Sequence, residues 1–174
     1  FSAETIGTLC YLKERGEKLK QLLRAGYVLT CLGVDKPFTY KRSKRGDSLA
    51  DTAASNVLNT YSQTKCIDFD PYGSDERQYC SPGFNLPVGT LMRARPGEYS
   101  EYHTSLDNKT ALSFPRLRES VEALERVATC IEVNDSYRST VSRGEPHLSK
   151  RGIYYSESKD SHVRFPLSMD EFKR

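Results

Sequence analysis

Short apolar runs alternate with segments of helical periodicity along this chain, and this alternation limits the possible folds more than any other feature. Tyr27–Leu32 is a β-branched and apolar run that predicts a buried strand. Leu49, Ala53 and Val57 then recur at helical spacing, and Cys66–Phe69 again has the character of a strand. Because such alternation is typical of a layered α/β fold, we predict a three-layer sandwich with helices on both faces of a sheet.

Further elements follow from spacing and capping residues. The leucines before the first strand predict a helix that is broken near Gly16. Ser113 can cap a helix whose apolar stripe is predicted to pack in the core: Leu117, Val121, Leu124, Ala128 and Ile131. Val88–Arg93 is a strand-like island within residues 71–108, a segment rich in Gly, Pro, Ser and Asp. Long loops of this kind are where α/β enzymes place their sites.

Charge, hydropathy and cysteine content exclude several classes of function. The net charge of +3 comes from 26 basic and 23 acidic residues spread along the chain, so attraction to polyanions is weak. No apolar run approaches the roughly 20 residues of a membrane-spanning helix. The five cysteines form no CxxC pair, which favours a reducing cytoplasm. We interpret the basic cluster as a solvated loop rather than a nucleic-acid site, because it lacks stacking aromatics: Lys41, Arg42, Lys44 and Arg45.

Three short segments carry residues that are capable of chemistry: Glu4–Gly7, Gly73–Arg77 and Glu101–Asn108. A single glutamate before a helix is usually a favourable charge at the helix N-terminus. A single histidine is usually a hydrogen-bonded structural residue. Each segment alone is therefore a weak indication, and the three gain weight from their order and spacing.

In order and spacing these segments resemble the co-catalytic zinc aminopeptidase family, which also contains the glutaminyl cyclases. In that family a Glu-Glu-x-Gly motif is followed by Ser-Asp-His and then by Tyr-His-Thr-x-x-Asp. The corresponding residues here are Glu4 with Gly7, Ser74–Asp75, and Tyr102–Thr104 with Asp107.

The resemblance is closer still to a subgroup described as polysaccharide-biosynthesis proteins with an aminopeptidase-like domain. Its signatures recur almost letter for letter at Thr5–Leu12, Gly73–Val88 and Gly97–Asp107. This resemblance implies a zinc exopeptidase-like sandwich with a mostly parallel central sheet, incomplete at its N-terminus. Residues 1–133 are then the C-terminal part of the aminopeptidase-like domain, and residues 134–174 are an extension that wraps it or leads to a further module.

The resemblance also implies roles for individual residues. Glu4 corresponds to the general base, which takes a proton from water and passes it to the leaving amine. His103 corresponds to a ligand of zinc, whose bound water has a pKa near ~7. The other candidates would orient these groups or bind the substrate: Asp75, Glu76, Arg77, Tyr102 and Asp107.

Two of these candidates have more than one interpretation. Asp107 is expected to orient the loop or the ring of His103, because metal-bound imidazoles donate their other N–H to an acceptor. The planar fork of Arg77 suits a substrate carboxylate, but a structural pairing with Glu76 or Asp75 is favoured.

The sequence departs from the wider family at two positions. Thr5 stands where the family has a second, metal-binding glutamate, and Glu76 stands where it has histidine. Because threonine is a poor zinc ligand, we expect one zinc ion rather than two. The first histidine and the aspartate ligand of the family precede the catalytic glutamate, so we expect them upstream of Phe1. This fragment alone should then bind metal poorly and hydrolyse nothing, in contrast to its full-length parent.

The leading hypothesis is a fragment of a cytoplasmic, zinc-dependent aminopeptidase-like hydrolase that cleaves N-terminal residues or similar amides. The alternative is a non-catalytic peptidase-like domain that serves binding or assembly in polysaccharide biosynthesis. The expected partner is a peptide or amide substrate, with no nucleic acid and no membrane, and the sequence leaves room for a homo-oligomer.

Overall fold

The computed structural model describes residues 3–136 together with residues 138, 142–144 and 147. Residues 1–135 form one unit and residues 136–174 a second. The first unit contains every helix and strand of the described residues. Most of the predicted extension from residue 134 onwards lies outside the described residues.

Helices and strands alternate in the described part of the chain, which confirms the predicted α/β class. In chain order the elements are α1 (Ile6–Leu22), β1 (Gly26–Leu29), β2 (Thr39–Lys41), α2 (Leu49–Leu58), β3 (Lys65–Ile67), α3 (Glu76–Tyr79), β4 (Val88–Met92) and α4 (Phe114–Glu132). Within these residues, no helix has the length and apolar character needed to cross a bilayer.

The four strands form one sheet in the order β1-β4-β2-β3. β1 runs parallel to β4, and β2 runs parallel to β3. The central pairing of β2 with β4 is antiparallel, with Tyr40 opposite Leu91, so the described sheet is mixed. β2 and β4 are the two central strands, and every residue in both is buried.

Helix α2 begins at a capping box. The Ser48 hydroxyl accepts a hydrogen bond from the Asp51 amide, and the Asp51 carboxylate accepts one from the Ser48 amide. The same carboxylate accepts a hydrogen bond of 2.9 Å from the buried Tyr40 hydroxyl, which ties the start of α2 to β2. The apolar residues of this region pack into one cluster with α4: Phe38, Tyr40, Ala54, Leu58, Leu91 and Ala123.

Helix α1 is continuous through Gly16, so the predicted break is wrong. Gly16 is buried, and a Cβ atom at this position would collide with the ring of Phe84. The glycine therefore permits close packing of a ring on the helix rather than ending it. One turn earlier, Leu12 of α1 packs against Cys80, Leu86 and Val88.

Helix α4 begins after Ser113, whose hydroxyl accepts a hydrogen bond from the Arg116 amide, as predicted. The predicted core stripe is only partly correct, because Leu117 and Val121 are 37% and 49% exposed. The buried face of α4 instead contains Ser120, Ala123 and Val127.

A polar residue can occupy this face because its hydrogen bonds are satisfied inside the core. The Ser120 hydroxyl accepts a hydrogen bond of 2.9 Å from the buried Arg93 and donates to the Leu32 carbonyl. Arg93 in turn lies 2.6 Å from a Glu119 carboxylate oxygen.

Candidate active site

Loops from separate parts of the chain surround a cavity of about 410 Å³. It lies where the chain leaves β1 and β4, at the carboxyl ends of two parallel strands, and open α/β sheets bind ligands at such ends. Glu4, just before α1, and His103, in the loop after β4, both line this cavity. The other lining residues are Thr30, Cys31, Leu32, Gly33, Val34, Gly73, Ser74, Pro96, Tyr99, Tyr102, Asp107 and Leu112. The residues predicted as base and metal ligand therefore face the same space.

The carboxylate of Glu4 is held by the second motif segment. The Ser74 hydroxyl donates a hydrogen bond of 2.7 Å to Glu4 Oε1. The next residue, Thr5, has a φ of 65°, which is rare for a β-branched side chain and marks local strain. Its amide donates a hydrogen bond of 2.7 Å to Asp75 Oδ1, so two contacts from one turn fix the start of α1.

Thr5 also accounts for the position of Arg77. Arg77 Nη2 donates a hydrogen bond of 3.1 Å to the Thr5 hydroxyl. The predicted pairing of Arg77 with Glu76 or Asp75 is wrong, because Asp75 binds the Thr5 amide and Glu76 has another partner. None of these three residues of the second motif is among the residues that line the cavity. They lie behind it and support its wall.

Glu76 is buried against Lys41, and this pair corrects the interpretation of Lys41. Lys41 belongs to β2 and is 2% exposed, so it is not part of a solvated basic loop. Glu76 is 1% exposed, and its Oε1 lies 2.6 Å from Lys41 Nζ. Lys41 Nζ donates hydrogen bonds to the carbonyl oxygens of Tyr72 and Asp70, at 2.7 Å and 3.3 Å. Glu76 Oε1 accepts no hydrogen bond of good geometry. Electrostatic attraction to the Lys41 ammonium group therefore holds Glu76 Oε1 in place.

One wall of the cavity is an aromatic cluster formed by Tyr99 and the third motif segment. The rings of Tyr102 and His103 stack with centroids 4.0 Å apart, and the Tyr99 ring meets Tyr102 edge-on. His103 has a φ of 58°, a second strained backbone position at this cavity. Burial raises the pKa of Tyr102, and electrostatic interaction with Cys31 and Glu4 raises it further. The Tyr102 hydroxyl thus stays protonated near neutral pH.

Asp107 and Cys31 contact this cluster through Tyr99. The Tyr99 hydroxyl donates a hydrogen bond of 3.3 Å to Asp107 Oδ2 and lies 3.7 Å from Cys31 Sγ. Burial raises the pKa of Tyr99, with Cys31 and Asp107 adding to the shift. Among the described residues, no hydrogen bond joins Asp107 to the His103 ring. Asp107 therefore fixes its own loop in this structure.

The donor set of the cavity does not make a zinc site by itself. A catalytic zinc site uses three protein ligands and leaves a fourth position open. The part of the chain that the structure describes contains no group of three His, Cys, Asp or Glu side chains that could hold a metal ion. His103 supplies one imidazole, so any complete site needs ligands from outside these residues.

The sequence carries little signal for two residues that support this cavity. Ser74 belongs to the second motif segment, and its hydroxyl is the group that contacts Glu4. Lys41 has basic neighbours in the sequence, but it is a buried residue of β2. Period-2 alternation places Lys41 on the face of β2 opposite Tyr40, and both faces of this strand are covered, so alternation gives no signal that Lys41 is buried.

Comparison with known proteins gives consistent results. A family model described as "Domain of unknown function (DUF4910)" matches residues 1–134. A protein of Clostridium acetobutylicum, named "Putative polysaccharide biosynthesis protein with aminopeptidase-like domain", is 43% identical over 155 residues, which are 88% of this chain and 35% of that protein. A crystal structure named as that of a "putative peptidase" from the same organism matches with a TM-score of 0.78 and 40% identity, covering 87% of this chain and 36% of that one.

The chain thus spans about a third of the length of these two relatives. The name of the first relative confirms the predicted resemblance to polysaccharide-biosynthesis proteins with an aminopeptidase-like domain. The solved structure confirms that this mixed α/β arrangement occurs in a peptidase-like protein. Because the family model matches well over half of its residues, the chain belongs to the family described as domain of unknown function DUF4910.

Proposed function

We propose that this chain contributes the general base and one wall of the substrate cavity to an aminopeptidase-like hydrolase that cleaves N-terminal residues or similar amides. The observation that supports this most strongly is that Glu4 and His103 line one cavity, although they lie far apart in the sequence. The names of the two relatives agree with a peptidase-like domain. We propose the three-layer sandwich with a mostly parallel sheet for the complete domain.

Glu4 has the surroundings that a general base requires. Ser74 fixes its Oε1 at 2.7 Å, so the carboxylate keeps one orientation towards the cavity. In the proposed reaction, a water oxygen bonds to the amide carbonyl carbon and Glu4 accepts the proton that this water loses. Glu4 then passes the proton to the amide nitrogen as the carbon–nitrogen bond breaks, and an acid and an amine leave.

The lining of the cavity favours a cationic amine with an apolar neighbour. It includes the carboxylates of Glu4 and Asp107, and none of its described lining residues is lysine or arginine. Leu32, Val34 and Leu112 supply an apolar wall. An N-terminal amino acid with an apolar side chain matches both features, whereas a substrate carboxylate would meet like charge.

We also propose that the full-length protein binds one zinc ion, with His103 as one of its ligands. The support is the match of residues 102–104 to the Tyr-His-Thr motif, together with the position of His103 at the cavity. A bound zinc ion would supply a water with a pKa near ~7 and polarise a carbonyl group. A cytoplasmic location fits the five cysteines, all of which are free thiols.

The test uses the full-length protein with aminoacyl p-nitroanilides as substrates and zinc content measured by atomic emission. Glu4→Gln should lower kcat by about 10²–10⁴-fold, the usual contribution of general acid–base catalysis, without removing bound zinc. Glu14→Gln is the matched control, because Glu14 is an exposed glutamate of α1, and it should leave kcat unchanged. Equal turnover of the native protein and the Glu4→Gln variant would contradict the proposal.

The second candidate is a non-catalytic peptidase-like domain for binding or assembly in polysaccharide biosynthesis. One observation favours it: Thr5 stands at a metal-binding position of the wider family. Stoichiometric zinc, or none, without turnover of any aminoacyl or peptidyl amide would support this candidate over the hydrolase.

A further inference from the structure

The buried pair of Lys41 and Glu76 is an unusual feature for the core of a small sheet. The two side chains are 2% and 1% exposed, so both charges have lost their hydration. Removal of water from two charges is costly, and apolar residues of similar volume often serve stability equally well or better. Stability of the fold therefore does not by itself account for this pair.

Both charges instead bind the backbone of one turn, residues 70–76. Lys41 Nζ donates hydrogen bonds to the carbonyl oxygens of Tyr72 and Asp70. Glu76 Oε2 accepts a hydrogen bond of 3.1 Å from the Ser74 amide. The turn closes tightly over the pair, because a Cβ atom on Gly73 would collide with Glu76 Oε1 and lie 2.7 Å from Lys41 Nζ.

This turn makes two contacts with the start of α1. The Ser74 hydroxyl donates to Glu4 Oε1, and Asp75 Oδ1 accepts from the Thr5 amide, both at 2.7 Å. The path from the buried charges to the candidate base thus runs through two hydrogen bonds of Ser74, from its amide to Glu76 Oε2 and from its hydroxyl to Glu4 Oε1. We propose that the ion pair of Lys41 and Glu76 positions Glu4 through Ser74, so that both are positioning residues. This inference rests on the proposed function only for its effect on turnover.

The test needs variants that remove the pair without leaving one charge buried alone. Lys41→Met combined with Glu76→Leu removes both charges at similar volume and should keep the fold. Ser74→Ala removes only the last contact of the path. Val127→Ala is the control for general destabilisation, because Val127 is a buried residue of α4 outside this path.

The first measurement is amide hydrogen exchange in the full-length protein, which does not depend on turnover. The Lys41→Met/Glu76→Leu variant should exchange the amide hydrogens of Ser74 and Thr5 about 10-fold faster, because the turn loses its anchor. Val127→Ala should leave these two rates at their native values. Unchanged protection of Ser74 and Thr5 in the double variant would overturn the positioning role.

The second measurement is steady-state kinetics on the aminoacyl p-nitroanilides. The double variant should lose about 10²-fold in kcat with KM little changed, since a small misplacement of a catalytic group has this effect. Adding Ser74→Ala to the double variant should cause no further loss, because both changes act on one path. Losses that multiply would overturn the path through Ser74. If the native protein turns over no amide, the proposed hydrolase fails, and hydrogen exchange alone decides the positioning role.

Discussion

The substitution Asp51→Asn tests how β2 and α2 are joined. Asp51 is 3% exposed, and its carboxylate accepts hydrogen bonds from two groups of Ser43, two groups of Ser48 and the Tyr40 hydroxyl. Burial alone would raise the pKa of this carboxyl, but the hydrogen bonds from Ser43, Ser48 and Tyr40 outweigh it and hold the pKa below its ordinary value.

Asparagine keeps the size of the side chain but replaces one accepting oxygen with an NH₂ group. In the native protein Oδ2 accepts from the Ser43 hydroxyl and from the amide and hydroxyl of Ser48. An NH₂ group at that position faces the Ser48 N–H donor, which then stays buried without a partner. A hydrogen bond to a charged group contributes about 1.5–3 kcal/mol, and an unsatisfied buried donor costs about 1–3 kcal/mol. We therefore expect Asp51→Asn to lower the free energy of unfolding by about 3–5 kcal/mol at pH 7.

The stabilising effect of Asp51 depends on pH, and the direction of this dependence follows from its lowered pKa. Because the folded pKa of Asp51 is depressed, its stabilising contribution is complete above the unfolded pKa of about 3.9 and is lost as the pH falls through the folded pKa. The difference between native and Asp51→Asn proteins, measured by urea unfolding followed by circular dichroism, should thus shrink from pH 7 to pH 3. A difference below about 1 kcal/mol at pH 7, or one that grows on acidification, would refute this reasoning.

Three further substitutions test separate elements. Gly16→Ala should lower the free energy of unfolding by about 1–3 kcal/mol because of the Phe84 ring, and stabilisation by the ~1 kcal/mol of helix propensity would contradict the packing. Ser113→Ala should cost about 1 kcal/mol in urea unfolding through the lost cap of α4, and no change would show that the cap is dispensable. Val121→Lys, at an exposed position of α4, should change stability by less than about 0.5 kcal/mol, and a larger loss would show that this position is buried.

The starts of α2 and α4 were predictable because their signals are local. Ser48 and Ser113 cap the residues that follow them, and a cap needs only the next turn to act. The strand β4 was predictable for a similar reason, since its apolar run is bounded by loop-forming residues. The antiparallel direction of β2 against β4 was not predictable, because period-2 alternation is the same in both directions.

Features that depend on distant partners could not be read from spacing. Lys41 is buried because Glu76 meets it from another part of the chain. Ser120 lies in the core because Arg93 donates to it, and an apolar pattern does not detect such a residue. Gly16 interrupts a helical pattern, but its reason is the ring of Phe84.

For the site, the motif residues Glu4 and His103 both line the cavity at the carboxyl ends of the parallel strands β1 and β4. The supporting residues behind the cavity belong to one motif, but the sequence does not indicate their partners Thr5 and Lys41. The catalytic and metal-binding roles of the site residues stay predictions.

The most direct test of a shared site is a double-mutant cycle of Glu4→Gln and His103→Asn, measured as kcat/KM of the full-length protein on an aminoacyl p-nitroanilide. Residues that act as one catalytic unit have strongly non-additive effects. The proposed hydrolase predicts that either substitution alone causes most of the loss and that the second adds little. Losses that multiply, or native activity in either single variant, would contradict a common role for Glu4 and His103.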